Sequence, residues 1–553
     1  MKIKSILRNF CVLSGSIGFL SGVTSTAFSA NSNDTLNLSE ISKNTLVMAW
    51  NIDAINHFDP AQVLESVTSE LLVNMCNSLV EYDQNDPTKI RPSMARSWNV
   101  SDDGKTIVFH LRDDLKFEDG RSATAHDLAW SMRRIIKLGL SYAQFLMNYG
   151  LTNDNIETSI QALDDTTLQL TLDQPYPVHL VLAVIGQSFA SAILDRQILE
   201  ANAVNGDMGN KYLATHSACV GPYKLVSWRP SDQVILQATQ NYWGEAPKVQ
   251  RILIRHVAES ASQRLLLEKG DVDIARDLSA EDVLAIEAQG GVAKINRILR
   301  PQSIYLALNN KNKILSHEKV RLAFRYLVDY ENLGQTVLKG VAVPRASYIP
   351  LGVPGALDEE EGMPFKLDLE KAKQLITEAG YPHGFKANFI IGTLPYMLTV
   401  AQSIQENARK IGIDLAIERM AQVQLLSRNR SGNYDVSIMG WNTTEPDAHP
   451  PSLRNVFNPD PTFTQKQKTY LAWRMGYYDE KANKMVMDAL FEKDESKRLE
   501  QYRDLQRYML KHGPATYLFQ TYHTIGVGPA VKNWVWNSFN IYYDKLEKYE
   551  QSE

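Results

Sequence analysis

The chain has 553 residues, of which 44% are hydrophobic and 22% are charged. This length and composition predict several domains, or one large structure with more than one lobe, and enough apolar material for its cores. The formal net charge is -5, so the sequence lacks the strongly basic character on which a nucleic-acid-binding protein depends.

The first 30 residues have the layout of a secretory signal peptide. Three basic residues lie among the first eight, an apolar stretch runs from Ile6 to Val23, and small residues continue to Ala30. A membrane anchor is the alternative, but the stretch is interrupted by Ser and Gly and is short for a spanning helix. We therefore predict a signal peptide at 1–30 and an exported, soluble mature chain without a spanning helix.

Strand and helix patterns alternate along the mature chain. In chain order the predicted elements are a strand at 45–50, a helix at 65–80, a strand at 106–111, helices at 124–137 and 261–269, a strand at 304–308, helices at 318–328 and 368–379, a strand at 387–391, a helix at 398–411, strands at 414–418 and 434–439, and helical sequence at 480–511. Thr124 is the expected N-cap of its helix, with Asp127 three residues later. This alternation predicts an α/β protein with mixed sheets.

Two cysteines, Cys76 and Cys219, remain once the signal peptide is removed. Two are too few for a disulfide scaffold in a chain of this size. They would pair in an oxidising compartment or remain as two buried thiols, and the sequence leaves both alternatives open.

The common motifs of catalytic and metal sites do not occur in the sequence. There is no HExxH, GxSxG, Walker-type GxxxxGK or CxxC, and the histidines are scattered. Adjacent acids such as Asp102 and Asp103 are typical of solvated turns. We expect no catalytic residue, no metal and no cofactor, with an exported hydrolase as a minority alternative.

The segment ARSWNVSDDGKTIVFHLRDDLKFEDGRSATAHDLAWSMRR, at 95–134, carries a long ordered motif. It resembles the peptide- and nickel-binding family of periplasmic solute-binding proteins, which has a Trp-centred strand, an Asp-Gly turn, Leu-Arg, Lys-Phe, Asp-Gly and Thr-Ala-x-Asp in this order. Later segments also match in order, at Gly221–Gly244, Leu265–Ala275, Tyr305–Asn310 and Tyr434–Trp441. The resemblance covers nearly all of the mature chain.

This resemblance implies a two-lobed periplasmic-binding-protein fold with mixed sheets and hinge strands that cross twice between the lobes. Lobe I is expected at 45–308 plus 512–553, with an extra subdomain inserted at about 86–207, and lobe II at 309–511. Closure of the two lobes around a ligand would be a hinge motion that the ligand favours by binding the closed form better.

The resemblance also implies ligand-contacting positions. Gly440 and Trp441 match a Gly-Trp pair that borders the pocket, the loop 64–67 matches one that hydrogen-bonds peptide backbone, and Tyr142 matches a region that supplies a pocket tyrosine. The full set of expected ligand-binding residues is Leu64, Glu65, Ser66, Val67, Tyr142, Gln422, Gly440, Trp441, Thr444, Glu445 and Asp447.

Three positions depart from the pattern of the peptide-binding members. Thr444 stands where an Asp pairs with the ligand ammonium, Gln422 replaces a second pocket tryptophan, and Ile438 replaces a basic residue. Glu445 and Asp447 are the nearest acids that would substitute for the missing Asp. If neither reaches the ligand, the ligand lacks a free amino terminus, because a buried ammonium without a partner is heavily penalised.

The predicted function is the substrate-binding component of an ABC importer. The protein would capture an oligopeptide or peptide-like solute in the periplasm, as a monomer, and deliver it to membrane permease subunits powered by an ATPase. The same fold binding an opine, an oligosaccharide or another non-peptide conjugate is the alternative, which the three departures favour.

Overall fold

The computed structural model describes residues 44–549 except Leu64, 84–85, 87–88, Val292, Thr444, 466–468 and 537–538. The predicted signal peptide therefore lies outside the described residues. The strands of the first half are β1 (Thr45–Trp50), β2 (Val80–Tyr82), β3 (Ile90–Pro92), β4 (Ala95–Val100), β5 (Thr106–Leu111), β6 (Ile160–Asp164), β7 (Thr167–Thr171), β8 (Tyr223–Arg229), β9 (Gln233–Ala238), β10 (Arg251–His256) and β11 (Ile274–Ala275). Those of the second half are β12 (Lys294–Leu308), β13 (Ala342–Pro344), β14 (Lys386–Ile391), β15 (Asp414–Arg419), β16 (Val436–Asn442), β17 (Ala515–Val527), β18 (Val531–Lys532), β19 (Val535–Trp536), β20 (Ile541–Tyr542) and β21 (Glu547–Lys548).

Helices lie between these strands throughout the chain. They are α1 (Ser66–Met75), α2 (Ala125–Leu138), α3 (Ala143–Met147), α4 (Ile156–Ser159), α5 (Val178–Ile185), α6 (Ser188–Ser191), α7 (Arg196–Ala201), α8 (Asn210–Leu213), α9 (Ser260–Lys269), α10 (Ala280–Gln289), α11 (Glu318–Tyr326), α12 (Tyr330–Gln335), α13 (Leu369–Glu378), α14 (Met397–Lys410), α15 (Gln422–Ser431), α16 (His449–Asn455), α17 (Leu471–Arg474), α18 (Glu480–Leu490) and α19 (Glu495–His512). In the part of the chain that is described, none of them is both long and apolar enough to cross a bilayer.

One large mixed sheet organises the molecule. Its strand order is β15-β14-β16-β12-β17-β11-β1-β10-β9-β8, and β13 pairs with β17 at the side of this path. The two long strands β12 and β17 are antiparallel, whereas β1 is parallel to β10 and β11, and β14 is parallel to β15 and β16. A separate four-stranded sheet has the order β4-β5-β7-β6. The prediction of an α/β fold with mixed sheets is confirmed.

The two largest clusters of buried apolar residues lie in different parts of this sheet. The first includes side chains from β1, β9 and β10, together with β5 and β7 of the four-stranded sheet. The second includes side chains from β14, β16, α11 and α14. Strand β17 contributes to both, with Ile525 in the first cluster and Leu518 in the second.

Most predicted elements occur close to their expected positions, and α2 has the capping box expected from the sequence. Two differ. Helix α1 ends at Met75 because the chain turns to extended backbone at Cys76 and the Asn77 N–H donates to the Val220 carbonyl, at 2.8 Å. The segment 480–511 contains two helices, since Asp494 caps α19 by accepting from the Lys497 N–H.

The two cysteines whose pairing the sequence leaves undecided form a disulfide. Cys76 and Cys219 are bonded, with their Cα atoms 5.0 Å apart. The bond joins the end of α1 to the segment that leads into β8, so it supports the same turn that ends the helix.

A fully buried ion pair fixes the loop that precedes α1. Two guanidinium nitrogens of Arg134, on α2, lie 3.0 and 2.6 Å from the two carboxylate oxygens of Asp59. Arg134 Nε donates to the Met208 carbonyl at 2.8 Å, and Asn210 Nδ2 donates to Asp59 at 2.7 Å. These hydrogen bonds satisfy both charges away from water, as a buried pair requires.

The substitution Arg134→Met tests this anchor. It leaves the Asp59 carboxylate buried without a cation, so the free energy of unfolding in urea should fall by about 3–5 kcal/mol. Arg196→Met is the control, because Arg196 forms a half-exposed pair with Glu200 within α7 and its loss should change stability by less than about 1 kcal/mol. Equal effects of the two substitutions would contradict the role of the anchor.

Candidate functional site

Two connected cavities lie beside the centre of the large sheet. One of them, here called the chamber, has a volume of about 150 Å³, and the other, here called the mouth, about 960 Å³. The residues that line both are Ser66, Arg300, Leu426, Arg430, Gly440 and His523. The mouth lies within the usual size range of a small-molecule pocket, and the chamber extends it.

A break in the β12–β17 ladder sets the position of Arg300. The pairing of the two strands is regular up to Leu299, shifts, and resumes at Ser303. Pro301 lies in this gap. Proline has no backbone N–H, so it could not donate a hydrogen bond to the ladder there. The buried Gln520 side chain fills the gap by donating to the carbonyls of Arg300 and Leu351, both at 3.0 Å. The half-buried Arg300 side chain is thereby placed at the junction of chamber and mouth.

The charged lining of the chamber is mostly cationic. It contains Arg300, Arg430, Arg454 and Arg474, and Glu70 is the acid among the described lining residues. Burial lowers the pKa of Arg300, Arg454 and Arg474 to about 10, so these three guanidinium groups remain protonated at neutral pH.

The carboxylates nearest to these arginines are already engaged. Glu70 accepts two hydrogen bonds from Arg276, at 2.6 and 2.7 Å, and Glu65 lies 3.0 Å from Arg430. Arg454 stacks on Phe145, with its guanidinium carbon 3.4 Å from the ring centroid, and the charge of the buried Glu445 also acts on it. The guanidinium group of Arg300 has no hydrogen-bond or ion-pair partner among the described residues.

Several buried polar atoms on the cavity walls have no hydrogen-bond partner among the described residues. In the chamber these are the Tyr142 hydroxyl, Asn442 Oδ1 and Thr443 Oγ1, and in the mouth they include Gln422 Oε1 and Thr393 Oγ1. Burial raises the pKa of Tyr142 well above its usual value, so its hydroxyl is a hydrogen-bond donor at neutral pH. Unsatisfied buried polar atoms are costly and rare in folded proteins, and a polar ligand would satisfy them.

The structure brings most of the expected ligand-binding residues together. Ser66, Tyr142, Gly440 and Trp441 line the chamber, and Ser66 also lines the mouth. The mouth residues expected from the sequence are Glu65, Val67 and Gln422, with Gly440 at the junction. Leu64 and Thr444 lie outside the described residues.

Gly440 is held close to the neighbouring strand. A Cβ atom at this position would lie 2.8 Å from Ile304 Cδ1 of β12, so a larger residue would require the end of the Ile304 side chain to move. The side chains of Ser66 and Asn442 meet nearby, where Asn442 Nδ2 donates to Ser66 Oγ at 2.6 Å.

The two substitute acids, Glu445 and Asp447, are buried and do not line the described walls of chamber or mouth. Asp447 accepts two hydrogen bonds from Arg498, at 3.0 and 2.7 Å, and one from the His449 N–H at 2.7 Å. Burial alone would raise the pKa of Asp447, but hydrogen bonds from His179 and Arg498 and the charge of Arg498 hold it well below its usual range.

Sequence reasoning missed the cationic side of the site. Arg300, Arg454 and Arg474 come from distant segments, and no local pattern connects them. The only available signal was Pro301 inside a strand pattern, which indicates a ladder break and therefore a side chain released from regular pairing. No group of three or more potential metal ligands occurs among the residues that the structure describes.

Known proteins resemble this chain in sequence and in fold. The family model described as "Bacterial extracellular solute-binding proteins, family 5 Middle" matches residues 89–463. The probable D,D-dipeptide-binding periplasmic protein DdpA of Escherichia coli (strain K12) is 28% identical over 486 residues, which cover 87% of this chain and 89% of DdpA.

Solved structures share the fold over almost the whole chain. The periplasmic binding protein DppA from Helicobacter pylori, in complex with the peptide STSA, has a TM-score of 0.81 at 23% identity and covers 92% of this chain and 99% of its own. AgaA from A. tumefacien R10, in complex with agropinic acid, has a TM-score of 0.75 at 22% identity, with the same coverage. These likenesses show the two-lobed periplasmic-binding-protein fold that was predicted. Since the family model matches more than half of the 553 residues, the chain belongs to the family 5 bacterial extracellular solute-binding proteins.

Proposed function

We propose that this protein captures an oligopeptide or peptide-like solute in the chamber and delivers it to the permease subunits of an ABC importer. The observation that carries the proposal is the set of buried polar atoms on the cavity walls that have no hydrogen-bond partner among the described residues, such as the Tyr142 hydroxyl and Gln422 Oε1. Main-chain amides of a peptide would supply the donors and acceptors that these atoms lack. The D,D-dipeptide named for the relative DdpA and the peptide held by the Helicobacter pylori protein support this class of solute.

We propose that lobe I comprises 45–308 plus 512–553, with the subdomain at about 86–207, and lobe II 309–511. Contacts between these segments support a closed arrangement. Arg430 lies 3.0 Å from Glu65, and the Tyr470 hydroxyl donates to Asn148 at 2.6 Å. A solute that satisfies the walls of both lobes would favour this form over an open one, because binding shifts the equilibrium toward the form that it contacts more.

Seven of the expected residues form the proposed contact surface for the solute: Glu65, Ser66, Val67, Tyr142, Gln422, Gly440 and Trp441. Leu64 and Thr444 stay predictions. Glu445 and Asp447 also stay predictions as partners of a ligand ammonium group. For Asp447 that role would compete with its two hydrogen bonds from Arg498.

The proposed location is the periplasm, after export and removal of the signal peptide. The relative DdpA carries a periplasmic name, and the Cys76–Cys219 disulfide fits an oxidising compartment. The protein would act there as a monomer that binds its solute without changing it, and the ATPase of the importer would power transport.

Purification under native conditions, followed by mass spectrometry of the denatured protein, tests the proposal. We expect a released peptide or peptide-like molecule in near-stoichiometric amount. An opine or a sugar conjugate would favour the alternative ligand class. A preparation that releases nothing and binds no member of a peptide pool, or that returns peptides cleaved, would contradict the proposed function.

The substitution Tyr142→Phe tests the contact surface. It removes a hydroxyl that has no partner in the described part of the chain, so the melting temperature should stay unchanged or rise, while affinity for the co-purified solute falls by about 3- to 10-fold. The control is Tyr223→Phe, because the buried Tyr223 hydroxyl lies 2.9 Å from the Val249 carbonyl and Tyr223 lines neither cavity.

Tyr223→Phe should lower the free energy of unfolding by about 1 kcal/mol and leave the affinity unchanged. Calorimetric titration gives the affinities, and urea denaturation gives the stabilities. If Tyr142→Phe destabilises the protein as Tyr223→Phe does and binds with full affinity, Tyr142 is a packing residue and the proposed surface is wrong at this position.

A further inference from the structure

We propose that the chamber selects solutes with more carboxylate than ammonium groups, and that Arg300 receives one of those carboxylates. This inference rests on the proposed function and specifies the class of solute that the same site takes. It predicts a small acidic peptide or peptide conjugate and excludes basic peptides.

The first argument is the position of Arg300. It lines both the chamber and the mouth, so a solute that occupies the two cavities lies beside this residue. The backbone beneath it is fixed by Pro301 and by the hydrogen bond from Gln520 to the Arg300 carbonyl, at 3.0 Å. A fixed backbone reduces the entropy lost when the side chain orders on a ligand.

The second argument is the charge that surrounds Arg300. The charged groups that act on it are Glu70, Arg276 and Asp277. Glu70 accepts two hydrogen bonds from Arg276. Asp277 lines the mouth and accepts a hydrogen bond from the Asn51 N–H, at 3.0 Å. Arg300 is therefore left without a paired carboxylate from the described residues.

The third argument is the set of cations that line the chamber. Arg454 and Arg474 line it together with Arg300, and the acid of the described lining, Glu70, is engaged by Arg276. The buried Glu445 acts on Arg454 from outside the described lining, so a solute ammonium group would meet guanidinium groups and, on the described walls, an acid that Arg276 already engages. A solute carboxylate would meet planar guanidinium donors, which bind it with two parallel hydrogen bonds.

The cost of burying the Arg300 charge explains why an acidic solute is preferred to a neutral one. Burial lowers the pKa of Arg300 to about 10, which shows that its charge is less well stabilised than in water. A carboxylate at this position would offset part of that cost, whereas a neutral amide would offset less. Selection between acidic and neutral solutes of the same shape follows from this difference.

The test compares three dipeptides of similar size by calorimetric titration: Glu-Glu, its neutral isostere Gln-Gln, and Lys-Lys. We expect Glu-Glu to bind at least about 10-fold more tightly than Gln-Gln, which is a difference of about 1.4 kcal/mol, and Lys-Lys to bind least. The affinity for Glu-Glu should fall when salt is raised from about 0.05 to 0.5 M, because salt screens the charges. The solute that co-purifies with the protein should be an acid.

Three variants distinguish the effect of the Arg300 side chain from the effect of removing any positive charge. Arg300→Gln should weaken Glu-Glu binding about 10- to 100-fold and change Gln-Gln binding less than about threefold, and Arg300→Lys should restore part of the loss. Arg297→Gln is the matched control, because Arg297 lies on the same strand, is exposed and pairs with Glu287. It should leave all three affinities unchanged, and melting temperatures verify that each variant folds.

The outcomes distinguish this inference from the proposed function. Release of a neutral or basic solute, or equal binding of Gln-Gln and Glu-Glu, would overturn the selection for acids and leave the capture of a solute intact. Full Glu-Glu affinity in Arg300→Gln would overturn the role of Arg300. Failure to release any solute, together with failure to bind all three dipeptides, would overturn both.

Discussion

The antiparallel pairing of β12 with β17 is the constraint on which the cavity depends. These two strands lie at the centre of the large sheet, and β17 contributes side chains to both of the large apolar clusters. Their ladder is interrupted between Leu299 and Ser303, and the interruption is stabilised by the buried Gln520 side chain. Because β16 pairs with β12 beyond the break, Gly440 and Trp441 are brought beside the same point. One irregularity in one ladder thus positions residues from three strands around the chamber.

The electrostatics of the site follow from how its charges are shared. Pairs such as Glu70 with Arg276 and Glu65 with Arg430 satisfy the nearby carboxylates within the protein. What remains facing the chamber is guanidinium, together with hydroxyl and amide groups that have no partner in the described structure. A cavity with this surface is unfavourable when dry and favourable when it holds a polar solute with negative charge. The protein therefore recognises a solute that supplies the hydrogen-bond and charge partners missing from the cavity wall.

Local signals in the sequence were sufficient for much of the fold. Thr124 and Asp127 form the capping box that their spacing predicts, and the strand at 106–111 has the bounds expected from its alternation. The motif resemblance placed Ser66, Tyr142, Gly440 and Trp441 at one site, and the structure brings these four to the chamber wall. These features depend on residues close in sequence or on a long ordered motif, so they can be predicted from the sequence alone.

Features that depend on distant residues were not predictable in the same way. The end of α1 at Met75 is set by the backbone around Val220, and the pairing of Cys76 with Cys219 depends on the same approach. The arginines of the chamber come from β12, α15, α16 and α17, which only the sheet order brings together. Asp447 looked available in the sequence, but its partner Arg498 lies 51 residues away.

The most direct test of the account is an experimental structure of the natively purified protein with its solute still bound. The account predicts a solute in the chamber that hydrogen-bonds the Tyr142 hydroxyl and places a carboxylate against the Arg300 guanidinium group. A chamber filled only by water, or a solute that reaches neither group, would contradict it.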